Sequence, residues 1–81
     1  MSEQSWSEWI VSDPQILSGK PSIRGTRISV QFVLELLASG ATQAEILKTY
    51  PHVPAEGLAA AIQYAADALS GEHVWALRVS A

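Results

Sequence analysis

The sequence predicts a mainly α fold: three short helices, with a helix-turn-helix spacing among them, preceded by short N-terminal β-strands or a hairpin. Three observations predict it. Apolar residues recur at helical spacing over 30–39 and 55–70, Thr42 and Glu45 form a capping-box pair, and β-branched residues cluster between turn formers from Trp9 to Val30.

In chain order, residues 1–5 are expected to be flexible, and a β element occupies 9–30. Trp9-Ile10-Val11 forms a short strand, closed by Ser12-Asp13-Pro14, where proline cannot continue a ladder and Asp13 suits an Asx-type turn. A further extended piece is expected at Gln15-Ile16-Leu17. Gly19-Lys20-Pro21 and Arg24-Gly25-Thr26 look like turns. They separate two strand-like arms, Ser22-Ile23-Arg24 and Arg27-Ile28-Ser29-Val30.

The first helix, 30–39, carries Val30, Val33, Leu34 and Leu37 on one stripe, while Phe32 and Leu36 lie off it. A helix apolar on more than one side is expected to be covered twice, by the core and by a second chain. Gly40 stops it. The capping box then starts a helix over 43–50, ended by Pro51, with Ile46, Leu47 and Tyr50 on its buried side. The third helix, 55–70, places Leu58, Ile62, Ala65 and Leu69 on one face, and its seven alanines between positions 55 and 68 give it a thin cross-section. Gly71 suits a C′ position. Residues 72–81 form a tail in which His73, Trp75, Leu77 and Val79 would share one side of a strand. Helical extension, or ordering on a partner, fits it equally well.

At 81 residues the chain is one small domain with a limited core. It has no cysteine, which excludes disulfides and cysteine metal sites, and His52 with His73 cannot alone hold a structural zinc. No metal and no cofactor are expected. No run of about 18 apolar residues occurs and the N-terminus is polar and acidic, so the expectation is a cytoplasmic protein with no membrane association. With 48% hydrophobic and 16% charged residues, the composition favours an apolar interface and hence a homodimer.

Charge is unevenly placed: 13–30 carries +2, and 31–81 carries −3. Three of the five basic side chains, Lys20, Arg24 and Arg27, fall within Gly19–Ser29. Guanidinium groups on a compact turn suit phosphate or the carboxylates of a protein partner. Pairing with Asp13 or with terminal helix carbonyls is the simpler intrachain use. The net charge of −3 argues against strong non-specific nucleic-acid binding. The polar residues of the third helix, Glu56, Gln63, Tyr64, Asp67 and Ser70, include no cation, which opposes its docking in a major groove. Trp6, Trp9 and Trp75 are many indoles for one small domain. Trp9 suits the core, whereas Trp6 and Trp75 suit core or partner surface equally. The scattered carboxylates, with neither cysteine nor a Ser–His–Asp arrangement, argue against an enzyme.

Over roughly Ile10 to Ala66 the chain resembles the family known as domain of unknown function 433. The residues that carry the resemblance are Asp13-Pro14, Ile16, Ser18-Gly19-Lys20-Pro21 and Ile23-Arg24-Gly25-Thr26-Arg27-Ile28, then Gly40, Ile46-Leu47, Tyr50-Pro51 and Tyr64-Ala65. The resemblance implies a homeodomain-like three-helix unit, a dimer, and an antitoxin-like role against a toxin of the PIN-like ribonuclease group. Operator DNA is implied only by analogy with other helix-turn-helix antitoxins. A DNA-binding regulator without a toxin and a non-catalytic structural subunit are the alternatives. The chain departs from the family before the third helix, where Pro54-Ala55-Glu56-Gly57 replaces a threonine-capped start. The lost cap costs about 0.5–2 kcal/mol and Gly57 roughly another 0.5–1, predicting a frayed or borrowed helix start. The tail beyond the resemblance is expected to hold a toxin-binding surface anchored by Trp75 and Leu77, with packing of Trp75 beside Trp9 as the alternative.

Overall fold

A computed structural model describes residues 5–70 and bears out the expected fold class. A 3₁₀ turn at Ser5–Glu8 leads into strand β1 (Ile10–Val11), a long connection, strand β2 (Ser22–Ile23), and helices α1 (Val30–Ala38), α2 (Gln43–Thr49) and α3 (Ala55–Ala68). The strands are antiparallel, with Ile10 opposite Ile23 and Val11 opposite Ser22. The two arms expected at 22–24 and 27–30 reduce to a single bridge between Ser22 and Ser29, because Ser29 has a second task. Its hydroxyl accepts from Phe32 N–H at 2.9 Å and caps α1.

The connection between β1 and β2 forms no strand at 15–17: Gln15 lies in a turn and Leu17 starts a 3₁₀ turn, while Ile16 between them is extended, at φ −124° and ψ 116°. Asp13 Oδ1 accepts from Gln15 N–H at 2.8 Å, which is the expected Asx turn. Leu17, Ser18 and Gly19 then follow with φ of 54°, 57° and 85°. This left-handed turn is closed by Gly19 N–H to Ile16 O at 3.0 Å and Lys20 N–H to Leu17 O at 3.1 Å. The Ser12 hydroxyl donates to Gly19 O across it. A run of such φ values in two non-glycine residues holds only because these bonds over-determine it.

Local signals place the helices. Gly40, at φ 107°, is the C′ residue of a Schellman motif: Ala41 N–H donates to Leu36 O at 3.1 Å and Gly40 N–H to Leu37 O at 3.0 Å. The capping box forms as expected, with Glu45 N–H donating to Thr42 Oγ1 at 3.1 Å and Thr42 N–H to Glu45 Oε1 at 2.8 Å.

Around α3 the core gathers Ile10, Ile23, Val30, Val33, Ile46, Val53, Leu58, Ala60 and Ala61. Phe32, off the first stripe of α1, meets Tyr50 edge to face at 5.8 Å between centroids, and Leu36 and Leu37 are half-buried against the core. Part of the second apolar side of α1 is therefore covered within one chain.

The start of α3 is not frayed. Pro54 stands at the N-cap with no side-chain hydrogen bond, yet Gly57 and Leu58 are buried in the first turn. A Cβ on Gly57 would lie 2.8 Å from Ile23 Cγ2 and 3.3 Å from Pro54 Cγ. The glycine is thus a close-approach residue that lets α3 press onto β2. Burial replaces the missing cap.

Candidate partner-binding site

The turn that carries the arginines is set by its own backbone. Thr26 N–H donates to Ile23 O at 3.0 Å, and Gly25 has φ of 80°, the left-handed value a type II turn needs at its third position. Thr26 is buried, its hydroxyl donating to Ile23 O at 2.7 Å and accepting from Ile28 N–H at 3.0 Å. Arg24 N–H donates to Trp9 O at 2.7 Å, which ties the turn to the residue just before β1. Gly25 and Thr26 therefore shape the turn. The Arg24 and Arg27 side chains on either side of them are exposed. Asp13, the acid considered as their intrachain partner, instead accepts from its own loop.

Lys20, also exposed, is not grouped with the arginines. It precedes β2 while Arg24 follows it, so the two stand at opposite ends of the strand, about 13 Å apart at extended rise. Lys20 instead helps line a groove of about 340 Å³ between the first half of α1 and the last turns of α3. Arg24 and Arg27 thus flank one hydrogen-bonded turn, with Lys20 at the far end of β2.

Trp6, which suits core or partner surface equally by sequence, is used within the fold. Its Nε1–H donates to Asp67 Oδ2 at 2.5 Å, while Gln63 Nε2 donates to Asp67 Oδ1 at 3.0 Å. The Trp6 and Tyr64 rings meet edge to face, 4.8 Å between centroids. Tyr64, one of the polar residues of α3, belongs to this clamp. Trp9 is half-buried against the core, as expected. The outward stripe of α3 consists of Ala55, Glu56, Ala59, Gln63 and Ala66, all exposed and without a cation. Trp75, Leu77 and His73 lie outside the described residues. Among the described residues no group of three potential metal-ligating side chains occurs, and no helix is long and apolar enough to cross a membrane.

Fold and site together define a small three-helix module with an N-terminal β element that holds an arginine pair at its tip. The chain belongs to the family described as "Protein of unknown function (DUF433)", which it matches over residues 10–65. It is also similar to an uncharacterized protein, y4eO, of Sinorhizobium fredii, 38% identical over 58 residues. That match takes in 72% of this chain but spans only 26% of the relative's length. No solved structure matches the chain.

Proposed function

We propose that the chain is a non-catalytic, antitoxin-like subunit that neutralises a PIN-like ribonuclease toxin by direct binding. The observation that carries this reading is the exposed pair Arg24 and Arg27, held on a turn whose backbone is fixed at both ends. A fixed backbone lowers the ordering cost of binding at the turn, and the planar guanidinium fork of each arginine suits bidentate pairing with a carboxylate. The role itself comes from the resemblance of the Gly19–Ser29 motif to its family. Its test is co-expression with the product of the neighbouring gene: growth is restored if the reading holds, and an unrelieved growth arrest overturns it.

The functional unit in this reading is a homodimer, with the alanine stripe of α3 (Ala55, Ala59, Ala66) as its contact, because helices with small side chains approach closely. Sedimentation at micromolar concentration tests it.

Regulation of an operator is the second reading, favoured by the three exposed cations on loops, which suit phosphate contacts. The outward face of α3 weighs against base readout, having Glu56 and no cation. With three phosphate contacts, binding would weaken with salt at a log–log slope of about −2.7.

A further inference from the structure

We propose that the groove between α1 and α3 is the docking site of this chain's own segment 73–79, with Trp75 and Leu77 seated in it. The groove, about 340 Å³, is lined by Pro21, Val30, Leu34, Tyr64, Ala65 and Leu69, with Lys20 and Gln31 among its few polar neighbours. Leu34 and Leu69 are the exposed large hydrophobic residues of the described chain, 38% and 59% accessible, and both belong to this one groove. So concentrated an apolar surface asks for a cover. Its lining offers almost no converging polar groups to orient a small molecule.

Where the chain runs next identifies the occupant. Leu69 lines the groove and Ser70 follows it, so residues 71–81 start at the groove's edge. Gly71 permits the reversal needed to turn back along α3. From Ser70 to Trp75 an extended chain spans about 17 Å, while Leu69 and Tyr64 are only about 7.5 Å apart along the helix axis. Reach is ample. Trp75, Leu77 and Val79 alternate with Ala76 and Arg78, so an extended segment presents its three large apolar side chains to one side. A segment so tethered acts at an effective concentration of roughly mM, which outcompetes an unassociated second copy at micromolar concentration. In this arrangement Trp75 and Leu77 complete the core of their own chain, and a partner meets the outer side of the docked segment. The inference stands on the groove and the tether, independently of the toxin reading.

Cross-linking of the full chain tests it. The protein has no cysteine, so Gln31→Cys with Ala76→Cys gives a unique pair and leaves the apolar lining of the groove, Trp75 and Leu77 in place. A short bismaleimide at about 10 μM chain is expected to yield the monomer-mass product in roughly hundredfold preference over dimer-mass product. Dimer-mass product requiring both cysteines would assign the groove to a second copy, and absence of any cross-link would leave it empty; either overturns the proposal. On the unaltered chain, nuclear Overhauser contacts from the Trp75 ring to the Leu34 and Leu69 methyls are expected. Contacts from Trp75 to Trp9 instead, or none at all, also overturn it.

Discussion

Gly57 of α3 and Ile23 of β2 meet so closely that a single methyl group on the glycine would lie 2.8 Å from Ile23 Cγ2. Ile23 is fully buried and β-branched, so it cannot swing aside. The contact joins the helical layer to the β element that carries the arginines, and it sets how near α3 approaches the turn.

Gly57→Ala therefore opposes two effects. Helix propensity gains roughly 0.5–1 kcal/mol, and overpacking costs about 1–3 kcal/mol. The expected outcome in urea denaturation is a net loss of about 1 kcal/mol or more. Combining it with Ile23→Ala should cost less than the sum of the two single changes. A stabilised Gly57→Ala would show that the glycine is merely a poor helix former.

The helices were legible in the sequence because their signals are local. Periodicity gave α1 and α3, Gly40 gave the end of α1, the Thr42–Glu45 pair gave the start of α2 and Pro51 its end, each within two residues. What escaped depends on tertiary context. Nothing in the side chains of Leu17 and Ser18 announces left-handed backbone; the turn is imposed by bonds reaching across the loop. Gly57 read as a propensity defect because its reason, Ile23, is 34 positions away in the sequence. The site was legible as a set of residue types, and the separation of Lys20 from the arginines was not, since β2 runs between them.

Neutralising the cations should leave the fold intact and weaken association. Lys20, Arg24 and Arg27 are all exposed, so the triple alanine variant is expected to unfold within about 0.5 kcal/mol per site of the unaltered chain. Binding to a carboxylate-bearing partner should slow on association by about tenfold at low salt, with the difference shrinking as salt rises. Unchanged association kinetics would remove the arginine pair from the interface.

The dimer contact proposed on α3 makes a separate prediction. Ala59 is exposed at the middle of the outward stripe, so Ala59→Arg should produce a folded monomer by sedimentation at micromolar concentration. A dimer that persists in this variant would place the contact elsewhere.

Operator binding, where it occurs, should not depend on α3. Tyr64 is unsuitable for that test, because its ring supports Trp6 and replacing it would disturb the fold. Gln63 is exposed and suits it better, although its amide also donates to Asp67. Gln63→Ala is expected to leave operator affinity within about twofold, whereas loss of a base-edge contact would cost about 1–3 kcal/mol. A loss of that size in mobility-shift titration would show that α3 reads bases.

The central claim, neutralisation by direct binding through the arginine turn, is tested most directly by growth rescue. The neighbouring gene product is expressed alone, with the unaltered chain, and with the Arg24→Ala, Arg27→Ala variant, whose soluble level is checked in parallel. The account predicts arrest, recovery and arrest, in that order. A neighbour that is toxic alone and remains toxic beside the unaltered, folded chain would contradict it.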